Sequence, residues 1–162
     1  MTDVYVGLGS NVLPEEHLRT AIDALSSCFG PLRCSTVYQS PAYGFAGDDF
    51  LNLVAAFEST LAPTEVEGIL SSVESAGGRP PSGRSGSRTL DLDLLLYGER
   101  VDAAQRLPRG DVLLYPFVLA PLFELAPALV HPVTGITMHD AWCAMRRLQP
   151  VLSARGRFCA AP

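Results

Sequence analysis

The order of apolar and polar residues along the chain predicts alternating strands and helices. Apolar runs with the alternation or composition of strands occur at 4–9, 32–39, 50–58 and 90–97. Apolar residues recur at helical spacing after Pro14 and again after Pro63, and proline suits the first position of a helix. A further apolar stretch at 117–126 predicts a buried helix with Pro121 in its first turn.

The resulting order is strand, helix, strand, strand, helix, strand. This order predicts an α+β fold of the ferredoxin-like, split βαβ type, in which a mostly antiparallel sheet carries both helices on one face. Extra helices and a short C-terminal hairpin are expected as peripheral elements. The length of 162 residues suits a single domain over 1–162 with one sizeable core.

Composition and charge narrow the class of protein. An apolar content of 48% with 18% charged residues is typical of a globular protein. The net charge of −5 argues against broad binding to nucleic acid, which needs a basic face. The longest charge-free apolar run, 112–123, is too short to cross a bilayer, and the N-terminus does not resemble a signal peptide. We therefore expect a cytoplasmic protein with no membrane partner. The oligomeric state stays open, with a monomer favoured.

The four cysteines suggest no covalent framework. Cys28, Cys34, Cys143 and Cys159 include no C-x-x-C pair, and a chain of this length does not need disulfides to hold its core. We expect reduced thiols.

Two carboxylates interrupt the last predicted strand, in the stretch SRTLDLDLLLYG. Residues two apart share a strand face at roughly 6.5–7 Å. One face should therefore hold Leu90, Leu92, Leu94 and Leu96, and the other Asp91, Asp93, Leu95 and Tyr97. A solvated outer face would explain a lone D-x-D. However, the acids lie together at one end of the strand, where a hard cation such as Mg²⁺ would remove their repulsion.

The loop before these acids is basic. Between Glu74 and Asp91 the chain has no acid, and three arginines stand among Gly, Ser and Pro residues: Arg79, Arg84 and Arg88. Guanidinium groups suit bidentate contacts with phosphate. Alone, the loop would be interpreted as a solvated segment, but directly before the two acids it predicts a clamp for a polyphosphate.

Two other patterns are weaker. Gly7 and Gly9 lack the third glycine of a dinucleotide fingerprint, because Val12 stands there, so they predict a tight turn at the end of the sheet. Phe50 and Asn52 share a strand face. They are either a core ring beside a satisfied amide or one side of a slot for a flat heterocycle.

The motifs YVGLGSN, SPAYG, FLN, RTLDLD, LLYG and FVLAPLFELAP resemble, in this order, the 6-hydroxymethyl-7,8-dihydropterin pyrophosphokinase family of folate biosynthesis. The resemblance covers about the first four-fifths of the chain. It implies a ferredoxin-like core. It also implies transfer of the terminal two phosphates of ATP to the hydroxymethyl oxygen of the pterin, giving AMP and the pterin diphosphate.

The resemblance also assigns residues. Asp91 and Asp93 match the acids that hold a pair of Mg²⁺ ions, and with Arg88 and Arg79 they form the implied catalytic set. The implied nucleotide-binding residues are Glu74, Arg79, Arg84, Arg88, Leu94 and Arg109. The implied pterin-binding residues are Ser40, Pro41, Ala42, Tyr43, Phe50, Asn52 and Phe117, with Asn52 at the edge of the pterin between two rings, Phe50 and Phe117.

The departures from the family pattern fall on the nucleotide side. Ser85 and Ser87 stand where the family usually has Trp and Pro, and a loop arginine is replaced near Pro81. Arg109, Gly110 and Tyr115 stand in place of a His, its neighbour and a downstream Arg. Two hypotheses follow: an active enzyme with an altered nucleotide pocket, or a pterin-binding paralogue without turnover that acts as a sensor or partner protein. The same chemistry on a modified pterin is a third alternative. The intact pair of acids favours the enzyme.

Overall fold

Strands and helices alternate as the sequence predicts. The computed structural model describes residues 1–44, 46–78, 89–148 and 152–159. The strands are β1 (Thr2–Ser10), β2 (Arg33–Cys34), β3 (Tyr38–Ser40), β4 (Phe50–Ser59), β5 (Asp91–Tyr97) and β6 (Ser153–Ala154). The helices are α1 (Pro14–Phe29), α2 (Pro63–Ala76), α3 (Asp111–Leu114), α4 (Pro116–Leu125) and α5 (Met138–Met145).

The strands form one antiparallel sheet in the order β5-β1-β4-β3-β6, and β2 also pairs with β4. Helices α1 and α2 pack on one face, over a core that includes Val6, Leu18, Leu53 and Val66. A second apolar cluster on the other face lies under α4 and α5. The predicted ferredoxin-like, α+β arrangement is confirmed, with α3 to α5 as the additional elements.

The helix starts follow from local sequence. Pro14 and Pro63 are the first residues of α1 and α2. Helix α4 begins at Pro116, so Pro121 lies in its second turn. The prediction that Pro121 lies in the first turn is wrong. Within the described residues, no helix has the length and apolar character needed to cross a membrane.

The predicted strand at 32–39 is divided into β2 and β3. Between them, the hydroxyl of Ser35 replaces a backbone carbonyl as the acceptor: the backbone N–H of Val54 donates to it at 3.0 Å. The next residue turns away from the sheet, since the N–H and the hydroxyl of Thr36 both donate to the carboxylate of Glu124 in α4. Side-chain hydrogen bonds therefore replace part of the regular pairing here, although the N–H of Ser35 still donates to the carbonyl of Val54.

Strand β5 contains a bulge that changes which side chains face α4 and which face α1 and α2. The register with β1 shifts between Tyr5 and Val6, leaving Leu95 as an extra residue. After it, Leu96 joins the cluster beneath α4, and Tyr97 packs on the side of α1 and α2. The predicted faces of Leu96 and Tyr97 are therefore wrong, because one extra residue inverts the alternation.

The C-terminal segment returns to the sheet. Strand β6 pairs with β3, and a disulfide joins Cys34 to Cys159, with their Cα atoms 5.6 Å apart. The expectation of four reduced thiols is wrong for this pair, because the fold brings together cysteines 125 residues apart. Cys28 and Cys143 are free.

In the described residues, the predicted C-terminal hairpin is reduced to an isolated bridge between Val130 and Thr137. The strand that follows it, β6, pairs with β3 and not with a neighbour in sequence.

Candidate active site

A cavity of about 500 Å³ opens on the α4 side of the sheet. Its floor comes from β1, β4 and β5, and its walls come from the segment after β3 and from the start of α3 and α4. The lining residues are Gly7, Leu8, Gly9, Ser40, Pro41, Tyr43, Phe50, Asn52, Leu53, Val54, Asp91, Asp93, Leu95, Asp111, Tyr115, Phe117 and Val118.

Two glycines form the centre of the floor. Gly9 lies inside β1, paired with Asn52 on one side and with Asp91 on the other. A Cβ atom at Gly9 would lie 2.9 Å from Oδ1 of Asn52, so only glycine leaves this space open. The interpretation of Gly7 and Gly9 as a tight turn is wrong, because both are paired on both sides within β1, which continues to Ser10. The available signal was glycine within a strand, which often marks a site where a ligand or another backbone approaches closely.

The two acids share the cavity, as their spacing in the strand predicts. Asp91 is opposite Gly9 and Asp93 is opposite Gly7, so both carboxylates rise from β5 beside residues that lack a side chain. The amide of Asn52 and the carboxylate of Asp91 thus lie on either side of the same glycine.

The orientation of Asn52 is set by a buried hydrogen bond. Its Nδ2 atom donates to the hydroxyl oxygen of Ser40 at 2.9 Å. Asn52 is 8% exposed and Ser40 is 2% exposed. Because Nδ2 points toward β3, Oδ1 points toward Gly9 and the cavity floor.

Three aromatic rings form the opposite wall. Tyr115 and Phe117 stack at 5.0 Å between ring centroids, with an angle of 18° between their planes. Tyr43 approaches Phe117 at 5.4 Å. Phe50 lines the floor, so the two rings predicted to sandwich a pterin, Phe50 and Phe117, border the same cavity. Tyr115 enters the sequence-based predictions only as a replacement for an arginine, yet it supports the Phe117 ring.

The charge on Asp93 is balanced by Arg109. The Nη2 atom of Arg109 lies 2.9 Å from Oδ1 of Asp93, and its Nε donates to Oδ2 of Asp111 at 3.0 Å. Burial and the neighbouring Asp91 raise the pKa of Asp93 to about 6, against the opposing effect of Arg109. Asp111 has no role in the sequence-based predictions. Its contact with Arg109 depends on the conformation of the turn into α3, which the sequence does not reveal.

The donor set fits a magnesium site that the substrate completes. Mg²⁺ is commonly held by one or two carboxylates together with water and phosphate oxygens. Asp91 and Asp93 supply two carboxylates in one cavity. The described residues contain no cluster of three or more His, Cys, Asp or Glu side chains able to hold a metal. Further ligands would therefore come from water or a bound phosphate.

Other predicted residues lie away from the cavity lining. Oε1 of Glu74 accepts a hydrogen bond of 2.6 Å from the backbone N–H of Leu92. The side chain of Leu94 lies in the core beneath α1 and α2, on the opposite side of the sheet, which gives it no part in lining the cavity. Ala42 is half-buried and is not among the lining residues. The predicted phosphate-binding residues outside the described part of the chain are Arg79, Arg84 and Arg88, together with the departures at Pro81, Ser85 and Ser87.

Comparison with known proteins agrees with this geometry. Residues 5–127 match the family model for 7,8-dihydro-6-hydroxymethylpterin-pyrophosphokinase (HPPK). A 2-amino-4-hydroxy-6-hydroxymethyldihydropteridine pyrophosphokinase from Haemophilus influenzae is 38% identical over 160 residues, covering 93% of this chain and 100% of the relative. The protein of the same name from Synechocystis sp. is 39% identical over 138 residues, covering 82% of this chain and 71% of the relative.

Solved structures support the fold. The HPPK-DHPS protein of Plasmodium falciparum has a TM-score of 0.70 to this chain at 11% sequence identity. The match covers 89% of this chain but only 44% of that longer protein. The family match over residues 5–127, the curated relatives and the paired acids of RTLDLD agree: this chain belongs to the 7,8-dihydro-6-hydroxymethylpterin pyrophosphokinase family.

Proposed function

We propose that this protein transfers the terminal two phosphates of ATP, as one unit, to the hydroxymethyl oxygen of 6-hydroxymethyl-7,8-dihydropterin. The products are AMP and the pterin diphosphate, an intermediate of folate synthesis. The observation that carries the proposal is the arrangement around Gly9, where an amide suited to a heterocycle and a carboxylate suited to a metal border one cavity. Family membership supports the same chemistry.

The pterin would bind between the rings. Phe50 and Phe117 offer apolar planes, and Tyr115 holds Phe117 in place by stacking on it. The amide of Asn52, oriented by Ser40, would bond to the polar edge of the pterin. Backbone groups at Ser40 to Tyr43 are further candidates for edge contacts.

The triphosphate would lie toward Asp91 and Asp93. When bound there, a pair of Mg²⁺ ions would neutralise phosphate oxygens and align the hydroxyl with the β-phosphorus. Asp91 and Asp93 would hold these ions, and Asp93 is also the candidate acceptor for the hydroxyl proton. Most of the rate enhancement is expected to come from positioning and charge neutralisation.

The other nucleotide contacts stay predictions. They involve Glu74, Arg109 and the arginines of the loop at 79–88. A cytoplasmic location and a monomeric state also remain predictions from the sequence.

The test is AMP formation from ATP and 6-hydroxymethyl-7,8-dihydropterin with Mg²⁺. Asp93→Asn should abolish turnover and leave pterin binding by calorimetry largely intact. Asp102→Asn is the matched control, because Asp102 is an acid paired with Arg100 outside the cavity lining. Near-normal turnover in Asp93→Asn would exclude the metal role.

The same assay separates the enzyme from the alternative. Pterin binding without any AMP formation by the unmodified protein would favour a binding paralogue that acts as a sensor or partner protein.

A further inference from the structure

Arg109 occupies a position between two acids at the edge of the cavity. Its Nε donates to Asp111 at 3.0 Å, and its Nη2 lies 2.9 Å from Oδ1 of Asp93. The three side chains are only 22%, 34% and 28% exposed for Arg109, Asp111 and Asp93. Water therefore screens these interactions less than it screens an ion pair on the open surface.

The hydrogen bond to Asp111 and the ion pair with Asp93 have different consequences. The bond to Asp111 fixes the base of the guanidinium group, since Nε is the nitrogen nearest the aliphatic stem. The ion pair with Asp93 places a positive charge beside an oxygen that the proposed function assigns to a metal ion. A divalent cation on Asp93 would meet both a competing donor and a repelling charge.

We propose that Arg109 is a built-in counterion of Asp93 that makes metal binding at this acid conditional on bound nucleotide. This inference rests on the proposed function of Asp91 and Asp93 as the metal-binding pair. In the free protein, Arg109 neutralises Asp93 and weakens its affinity for a divalent cation. When a triphosphate enters, its oxygens accept hydrogen bonds from the Nη–H groups of Arg109. The hydrogen bond from Nε to Asp111 keeps the guanidinium at the cavity wall.

The charge of residue 109 is the basis of this coupling. The family resemblance places Arg109 where a histidine is usual. A histidine near its ordinary pKa is largely neutral at pH 7, whereas an arginine stays charged. The permanent charge is what couples the metal to the nucleotide.

The experiment is a titration of the full chain with Mn²⁺, followed by electron paramagnetic resonance, first without nucleotide. Arg109→Gln should bind Mn²⁺ roughly tenfold more tightly than the unmodified protein, because a competing full charge has been removed. Arg100→Gln is the matched control, since it removes an arginine paired with Asp102 outside the cavity lining and should leave the affinity nearly unchanged. Equal Mn²⁺ affinity in Arg109→Gln and the unmodified protein would overturn the inference.

The titration is then repeated with α,β-methylene-ATP, whose α–β linkage resists transfer. The analogue should increase Mn²⁺ affinity more in the unmodified protein than in Arg109→Gln, and an equal increase would contradict the coupling. Asp91→Asn and Asp93→Asn test the metal site separately from the role of Arg109. If both keep the Mn²⁺–analogue affinity of the unmodified protein, the proposed metal site fails, and the inference with it. If they lose that affinity while Arg109→Gln matches the unmodified protein throughout, only the inference about Arg109 fails.

Discussion

Asn52 donates a 2.9 Å hydrogen bond from Nδ2 to the hydroxyl of Ser40, and both side chains are almost fully buried. An amide can be rotated by half a turn with little change in shape, so a fixed donor on one side determines what the other side offers. The oxygen of Asn52 is thereby directed to the cavity floor at Gly9. We therefore expect Ser40 to influence a bound pterin through the orientation of Asn52.

Ser40→Ala should therefore weaken pterin binding without removing a group from the pterin plane. Losing a buried hydrogen-bond partner costs about 1–2 kcal/mol, or roughly 5–30-fold in affinity if the cost falls on the bound state. Calorimetry with 6-hydroxymethyl-7,8-dihydropterin measures the change. Ser72→Ala serves as the control, because its hydroxyl bonds to a helix carbonyl on the exposed side of α2. Unchanged pterin affinity in Ser40→Ala would show that the orientation of Asn52 does not depend on this bond.

The glycines of β1 offer a matched pair of substitutions. A Cβ at Gly9 would lie 2.9 Å from Oδ1 of Asn52, whereas a Cβ at Gly7 would meet the side chain of Leu95 at an ordinary 3.5 Å. Gly9→Ala should thus displace the Asn52 amide and reduce pterin affinity by about tenfold or more, consistent with 1–3 kcal/mol for overpacking. Gly7→Ala should have a much smaller effect. Equal losses in the two variants would argue against a specific role for the space above Gly9.

The pKa of Asp93 predicts how the stability of the metal-free protein depends on pH. Burial and the charge on Asp91 raise this pKa from 3.8 to about 6. Between these values the folded state binds more protons than the unfolded state, so this carboxyl makes stability fall as pH rises. Above about pH 6 the full cost of the ionised group is present, and below about pH 3.8 it is absent.

Asp93→Asn should consequently stabilise the metal-free protein at about pH 8 and have little effect at about pH 3.5. The raised pKa, which already includes the opposing effect of Arg109, corresponds to a gain on the order of 1–3 kcal/mol. Urea denaturation at both pH values, with a chelator present, measures the difference. The opposite sign, a variant less stable at pH 8 than the unmodified protein, would mean that the Arg109 pair outweighs the cost of burial.

The disulfide predicts a redox-dependent stability. Cys34 and Cys159 are 125 residues apart, and closing a loop of this length commonly stabilises a fold by about 2–4 kcal/mol. Cys159→Ser should lower the free energy of unfolding by this amount under oxidising conditions. In dithiothreitol the variant and the unmodified protein should be nearly equal. Cys143→Ser is the control, because Cys143 is a free cysteine outside the bridge. A stability difference that persists under reduction would point to packing of the thiol and not to the bond.

The sequence predicts the part of the site that lies on regular strands. Alternation along β4 correctly places Phe50 and Asn52 on one face, and the D-L-D spacing places Asp91 and Asp93 together. The sequence does not reveal the bulge at Leu95, because any residue in an uninterrupted run of leucines could be the extra one.

Long-range partners are the other limit. The contact of Arg109 with Asp93 depends on how the turn before α3 approaches the edge of β5, and the Cys34–Cys159 bridge depends on the return of the C-terminal segment. Local spacing carries no signal for either pairing.

The row formed by Asn52, Gly9 and Asp91 also fixes a distance across the sheet. Each residue comes from a different neighbouring strand, and backbone pairing fixes the spacing between the two outer Cα atoms at roughly 9–11 Å. In the proposed function, this distance of two strand intervals sets the reach from the pterin to the transferred phosphates. We therefore expect substitutions in the surrounding loops to change affinity or rate without changing the distance between Asn52 and Asp91.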